Sequence, residues 1–396
     1  MSFYTLAISG GPSHDASICL LRDEEIVLFV ASERITRIKH DTINTENVGS
    51  ILEEVKKITT HINYVVSVNV WRSSKPTSKL TTPEEVAQAL TKHGITFDNI
   101  INDTKGHHLN HAAAGFYTSG FEEAACIVID GIGSWWRFDT VGLSETTTIF
   151  KADHRLRVAY KNLFYRPGSK LFGWDDATMV EMKKNFNYRV DFSNHLDIGM
   201  MYTVVTLHLN LGSAHDGGKT MGLSAYGQPN NLPPMLADDT ILGNNNLFRH
   251  DNRIDTLMYK ELINMSEQTK RNLAYNVQKA LEKVFIERVK QARSVIKTNN
   301  IIFGGGCAMN ILGNSKVKKT FPDINVYADP IAGDATQSLG AALYYYKQLF
   351  PETKFKKLTH LFLGPEYSIV DTKDKLLKLV KQYNNESNVQ VSGNPR

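Results

Sequence analysis

The chain has 396 residues, 42% of them hydrophobic and 22% charged, with a formal net charge of +4. These are ordinary values for a folded protein and exclude a disordered, fibrous or collagen-like chain. The length accommodates two domains or lobes of about 100–200 residues each, and the mild basic balance permits an anionic ligand or a nucleic acid without requiring either.

Phe3–Ser9, Ser17–Leu21 and Ile26–Ser32 read as three short strands of a β-meander, with Gly10 and Gly11 ahead of Pro12 at the first turn. Helical spacing marks Ile51–Ile58 and Pro83–Lys92, and the β-branched run Tyr64–Val70 predicts a buried strand. His107 and His111 precede a small apolar face at Ala112–Ala114 and Phe116. On a helix, residues four apart have β-carbons about 5–6 Å apart, so two neutral imidazoles can share one metal ion. Such a pair also occurs as plain core or surface histidines, and a third ligand has to come from elsewhere.

A second cycle starts at Ala124–Ile129, a strand ending in Asp130-Gly-Ile-Gly133, with further extended segments at Val141–Leu143 and Thr146–Lys151. The strand and glycine-turn opening thus occurs at Ile8–Pro12 and again at Ile129–Gly133, which predicts two similar α/β halves facing a cleft. Tyr160–Asp197, polar, aromatic and basic, reads as a solvated insertion or as a cap over an acceptor site. Met265–Ile296 is a long amphipathic helix. Ile301–Phe303 is a strand running into Gly304-Gly-Gly-Cys-Ala-Met-Asn310, and Leu339–Leu343 belongs to a small-residue helix. Beyond Phe362 the chain turns lysine-rich and polar. Cys19, Cys126 and Cys307 lie far apart in apolar runs, so free buried thiols are expected rather than disulfides or a zinc pair. Met1 leads into an apolar run too short for a secretory leader, and no later run spans a bilayer. The expectation is a cytosolic protein with no membrane partner.

Several of these turns can carry chemistry. In Ser13-His14-Asp15, a histidine titrating near neutrality can take a proton from an attacking hydroxyl, or it can serve a structural hydrogen bond. Asp130-Gly131-Ile-Gly133 has the form of a backbone loop wrapped around a phosphate, and equally of a hairpin turn. Gly304, Gly305 and Gly306 let amide hydrogens converge on a phosphate oxygen, or simply make a tight turn. Asn310 can bond a ribose or phosphate, or cap a helix; Asp334, ahead of a helix, has the same capping alternative. Gly217-Gly-Lys-Thr-Met-Gly222 lacks Walker spacing, although Lys219 can still contact a phosphate.

Together, Ser9–Ser17, Ser32-Glu-Arg-Ile-Thr-Arg-Ile-Lys-His-Asp41, His107–Ala112, Asp130–Gly133, Gly218–Gly227, Gly304–Asn310, Gly333-Asp-Ala335 and Leu339-Gly-Ala-Ala342 resemble, in order, the nodulation-protein-U-like O-carbamoyltransferase family. That family includes enzymes that carbamoylate tobramycin and cephem antibiotics. The resemblance implies a duplicated actin-like, sugar-kinase-like α/β fold, with two lobes (1–123 and 124–362, the second with its insertion at about 160–197) around a nucleotide cleft. It further implies that His107, His111 and Asp334 hold a metal, with Fe2+ the family's ion, and that His14, with Asp15 beside it, stands by the carbamoyl carbon. Asp130, Gly131, Gly133, Lys219, Gly304–Gly306 and Asn310 would line the site of ATP or carbamoyl adenylate. The implied reaction moves a carbamoyl group, drawn from carbamoyl phosphate and ATP through the adenylate, to a hydroxyl of a small molecule or of a hydroxymethylated nucleobase or DNA.

The resemblance thins at the end. Family members continue into a YrdC-like domain that makes the adenylate, whereas here Leu363-Gly-Pro-Glu-Tyr-Ser368 reads as the start of, or linker to, that region, with 363–396 as its remnant. Either the sequence is a truncated piece of a longer protein, or a separate YrdC-like protein supplies the activated donor. Two alternatives are kept: a tRNA threonylcarbamoyl-transfer protein, which shares the histidine pair, and a non-catalytic nucleotide-binding partner subunit, which would bind no transition metal. Neither the acceptor nor the oligomeric state, a dimer being one option, is legible in the residues.

Overall fold

Apolar runs buried on both faces make central strands, and the first segments of this chain are of that kind, with Leu6, Ala7, Ile8, Ile18, Cys19 and Leu20 all buried. The computed structural model describes residues 2–11, 14–68, 80, 82–104, 106–138, 141–165, 183–193, 196–232, 235–236, 254, 256, 260–365 and 369–387. Five strands form the first sheet: β1 (Tyr4–Ser9), β2 (Ser17–Arg22), β3 (Glu25–Ala31), β4 (His61–Val68) and β5 (Thr96–Asp103), in the order β3-β2-β1-β4-β5. β1, β2 and β3 pair antiparallel, while β1, β4 and β5 pair parallel. Helices α1 (Ser32–Thr36), α2 (Val48–Lys56) and α3 (Pro83–Lys92) belong to this half. α3 starts where it does because Thr82 and Glu85 form a reciprocal capping box, with Pro83 in the first turn.

After α4 (His107–Ser119) come β6 (Ala124–Ile129), β7 (Trp135–Phe138), β8 (Val141–Ala152), β9 (Leu156–Tyr165), β10 (Arg189–Ser193), β11 (Asn300–Gly304) and β12 (Asn325–Ala328). They make a second sheet ordered β10-β9-β8-β6-β11-β12, with β7 on β8. Within it, β9-β8-β6-β11-β12 repeats the first sheet's order and strand senses: antiparallel across β9, β8 and β6, parallel across β6, β11 and β12. The remaining α-helices among the described residues are α5 (Ile198–His208), α6 (Gly217–Ser224), α7 (Glu267–Ile296), α8 (Ile311–Thr320), α9 (Thr336–Leu349) and α10 (Ile369–Ser387). This repeated sheet, flanked by helices, is the two-lobed α/β architecture of actin-like and sugar-kinase-like proteins.

The halves exchange helices. α4 packs on β6, β8 and β11 of the second sheet, α9 packs on β1, β2 and β4 of the first, and the two helices cross each other. The crossing is close because Gly340 faces the Asn110 backbone: a Cβ there would lie 1.9 Å from the Asn110 carbonyl oxygen. Ala7, Val66, Ala113, Val128, Ile302 and Ala342 share one apolar cluster between the sheets, and small side chains at Ala112–Ala114 and Ala341–Ala342 allow that approach.

The structure corrects several expectations. Val141–Leu143 and Thr146–Lys151 are one strand, β8, whose pairing with β9 slips between Glu145 and Thr147; the bulge interrupts the apolar pattern and makes one strand read as two. Within the Tyr160–Asp197 segment, residues 160–165 complete β9 and β10 pairs parallel beside it, so these parts are sheet rather than solvated insertion; Arg166 and Lys170 lie outside the described residues. Tyr64–Val70 begins earlier, at His61, and positions 69–70 are likewise outside. Ile51–Ile58 becomes Val48–Lys56, and Leu339–Leu343 is the middle of the longer α9. β5, α5, α6 and α8 gave no periodic signal. Residues 369–387 are helical. Cys19 and Cys126 are buried and Cys307 is half-buried, all three as free thiols. No described helix is long and apolar enough to cross a membrane.

Candidate functional site

The helix exchange carries α4 to the C-terminal ends of β6 and β11, where both strands run into glycine turns. Crevices outside the carboxyl ends of parallel strands are where α/β folds bind ligands. His107 and His111 stand one turn apart on α4 with their Nε2 atoms 3.3 Å apart. Asp130, directly after β6, places Oδ2 2.8 Å from Nε2 of His107 and 3.4 Å from Nε2 of His111. Asp334, in the turn before α9, places Oδ1 3.7 and 3.6 Å from the same two nitrogens. The donor atoms of all four residues lie within 4.8 Å of one another. Thus the structure brings together the three residues expected to bind metal, and adds Asp130, which the sequence placed in a phosphate loop.

Burial alone would depress the His111 pKa, but hydrogen bonds and charge from Asp130 and Asp334 override it and lift it to about 9. Burial would raise Asp130, yet the two histidines hold its carboxyl well below the usual range. Both imidazoles are buried, while Asp130 and Asp334 are 14% and 23% exposed and form the open side. Two anionic oxygens and two ring nitrogens facing one point call for positive charge between them. A divalent cation supplies it without placing imidazole protons face to face, and two histidines with two carboxylates match the ligand chemistry of zinc and iron-group ions. The Nδ1 atoms of both rings are buried with no hydrogen-bond partner among the described residues, so Nε2 is the working edge of each ring.

His14 borders this centre. Its Nε2 is 3.7 Å from Asp334 Oδ2, and its Nδ1 is 2.9 Å from Asp15 Oδ2. Asp15 uses its other oxygen on His40 Nδ1 at 2.8 Å, so one carboxylate orients two imidazoles. Burial lowers the His14 pKa, but the Asp15 hydrogen bond and the charge of Asp334 raise it overall. The His215 ring sits 4.0 Å from that of His14; burial, then the neighbouring His14 and His40, push its pKa down. Nothing in the sequence marks His215, and His40 is marked only by its place in the Ser32–Asp41 segment.

The glycines divide into two groups. Gly305, at φ +81°, would drive a Cβ to 2.5 Å from the Ile129 carbonyl oxygen, and a Cβ on Gly306 would stand 3.3 Å from Asp130 Oδ1, so this turn is pressed against the Asp130 carboxylate. A Cβ on Gly304 would touch the His111 backbone, and Gly131 donates its amide to Asp130 Oδ1 at 2.7 Å. Gly133 faces away: a Cβ there would be 2.7 Å from Nε2 of His108. Asn310 is buried and caps α8 by accepting the Gly313 amide, while its own amide group donates to Gln278. Lys219 stands exposed on α6, 3.1 Å from Asp216. Asp334 does not cap α9; Ala335 occupies that position and no side chain caps it.

With the fold an actin-like, two-lobed one and the site a two-histidine, two-carboxylate cluster in its cleft, the comparisons name the family. The model of the carbamoyltransferase N-terminus family matches residues 84–343, and the chain belongs to that family. It is 22% identical to nodulation protein NolNO of Sinorhizobium fredii over 89% of this chain and 49% of that protein. It is also 22% identical to an uncharacterised protein of Synechocystis sp., over 90% of this chain and 60% of that one. The chain therefore spans about half the length of the curated relatives it matches. Among solved structures, HypF of T. kodakarensis superposes with a TM-score of 0.53 at 12% identity, covering 88% of this chain and 48% of that one, a likeness of fold.

Proposed function

We propose that this chain carries the transfer half of an O-carbamoyltransferase, moving a carbamoyl group from carbamoyl adenylate to a hydroxyl of a small molecule or a hydroxymethylated nucleobase. The observation that supports this most is His14: its Nδ1 is tied to Asp15 while its Nε2 faces Asp334 at the rim of the His107–His111–Asp130–Asp334 cluster. That is a base, its orienting carboxylate and a cation site within a few ångströms, in a chain of the carbamoyltransferase family.

His107, His111, Asp130 and Asp334 would hold the divalent ion, Fe2+ being our assignment; bound there, such an ion withdraws charge from a carbamoyl or phosphate oxygen. Gly131 and the Gly304–Gly306 turn present bare backbone rather than side chains beside Asp130, the chemistry by which a glycine loop would receive the adenylate phosphate. The acceptor hydroxyl gives its proton to His14 Nε2 as its oxygen bonds to the carbamoyl carbon, and the carbamoyl–phosphate bond breaks to release adenosine monophosphate. Asp15 keeps the ring oriented and stabilises it once protonated. The Asp334 charge helps to hold a proton on His14, so a cation held by Asp334 would favour the role of His14 as base. Carbamoyl phosphate and ATP would be joined into the adenylate by the further portion that the relatives possess, or by a separate YrdC-like protein.

The test supplies synthetic carbamoyl adenylate with a panel of hydroxylated acceptors and follows the acceptor by mass spectrometry. A gain of one carbamoyl group is expected, reduced about 100-fold or more in His14→Asn and absent in His111→Ala. No gain on any acceptor, or full activity in His111→Ala, refutes the reading.

A further inference from the structure

Behind the cluster lies a buried ion pair for which the reaction has no use. Glu145, on β8, and Lys161, on β9, are 2% and 6% exposed and bond to each other. The Glu145 carboxylate is held ionised: burial raises its pKa, but the charge of Lys161 pulls it down to about 2. A buried pair of this kind seldom adds net stability over apolar residues of the same size, and Glu145 makes further contacts. Oε2 accepts the backbone N–H of Ser134 at 3.2 Å and of His108 at 3.4 Å. The Ser134 hydroxyl oxygen accepts the His107 N–H at 3.3 Å. The backbone of Glu145 closes the knot, accepting from Gly133 at 2.7 Å and donating to Ser134 at 3.2 Å.

α4 has no side-chain cap of its own; Gly106 holds the N-cap. A helix leaves its first four N–H groups without internal partners, and here the first is met by Ser134 of the loop after β6 and the second by Glu145 of β8, an anion at the positive end of the helix dipole. The same carboxylate ties down the loop after Asp130, and there is no slack in that loop, since a Cβ on Gly133 would come within 2.9 Å of Glu145 Oε2. One buried anion therefore sets the start of α4, which carries His107, relative to the Asp130–Ser134 loop, which carries Asp130. The His107–Asp130 distance of 2.8 Å is the spacing so fixed.

We infer that Glu145, neutralised by Lys161 and helped by Ser134, is a positioning residue for the metal centre, acting through the backbones of His107, His108 and Ser134. This rests on the reading of the His107–His111–Asp130–Asp334 cluster as a metal site. Glutamine at 145 keeps the shape but must turn an NH2 toward either Lys161 or the two backbone N–H groups, and both edges need an acceptor.

The experiment measures Co2+ affinity and the Co2+ visible absorption spectrum of the full chain, well below its unfolding temperature, for wild type, Glu145→Gln, Ser134→Ala and, as a destabilised control, Leu281→Ala in the second lobe's core. Loss of outer-shell support typically weakens metal binding about 10–100-fold. Glu145→Gln is expected to lose affinity by that factor with a shifted spectrum, Ser134→Ala to lose less, and Leu281→Ala to lower the melting temperature with affinity and spectrum unchanged. If Glu145→Gln does not fold, the milder Ser134→Ala carries the test. Wild-type affinity and spectrum in the folded 145 and 134 variants, or an equal loss in Leu281→Ala, overturns the inference. Wild type that binds no better than His107→Ala instead overturns the metal site itself.

Discussion

Gly340→Ala isolates the helix crossing that builds the site. A Cβ at 340 would lie 1.9 Å from the Asn110 carbonyl oxygen and 2.5 Å from its carbonyl carbon, against ordinary contact at 3.4 Å. The difference between 3.4 and 1.9 Å, about 1.5 Å, has to be opened between backbones, so no side-chain rotation relieves it. Overpacking of this kind costs about 3 kcal/mol, offset by about 1 kcal/mol of helix propensity gained over glycine. A net loss of about 2 kcal/mol lowers the melting temperature by a few degrees. The sharper effect is local: Asn110 lies between His107 and His111, and Gln337 on α9 donates to the His107 carbonyl, so parting α4 from α9 moves both imidazoles off Asp334. Calorimetry of the metal-free protein and competition with a chromophoric chelator read the two effects. Gly222→Ala, where nothing lies within 4 Å, is the control and should be neutral or slightly stabilising. Wild-type melting and metal affinity in Gly340→Ala would refute the reasoning.

Asp130→Ala should weaken metal binding as strongly as Asp334→Ala does, measured as metal content after dialysis against a chelator; full retention would return Asp130 to a phosphate-loop role. Asp329 is buried and its carboxyl is raised from 3.8 to about 6, so the folded state holds its proton more tightly than the unfolded state. The resulting stabilisation is complete below about pH 4 and lost as the pH rises toward 6, roughly 2–3 kcal/mol in all. Asp329→Asn should therefore match wild type in urea unfolding at pH 4 and exceed it at pH 7. Thr82→Ala breaks the α3 capping box and should cost about 1 kcal/mol in the same assay, with no change in metal binding.

Local order was legible wherever one segment's own residues decide it. Pro83–Lys92 was found to the residue because its start signal is local, and the paired histidines were legible because four-residue spacing is itself a geometry. Asp130 was not, since a carboxylate before a glycine turn looks alike in a phosphate loop and in a metal site; it is the parallel pairing of β6 with β11 and the docking of α4 that bring it against the two imidazoles. Asn310 and Asp334 show the same ambiguity resolved in opposite ways, the first capping a helix and the second facing two imidazoles. Glu145 carried no signal at all, because its contacts are to backbone N–H groups 11 and 37 residues away.

The exchanged helices have a further consequence for how the molecule comes apart. A fragment ending at residue 123 would present Ala112, Ala113, Ala114 and Phe116 to water and leave the first sheet without α9, while the complementary fragment would lack the helix that lies on β6 and β11. Neither piece is self-sufficient, although each contains a complete five-stranded core. Heating should consequently melt the two repeats as one cooperative unit rather than in succession, as in two hands whose fingers are interlaced.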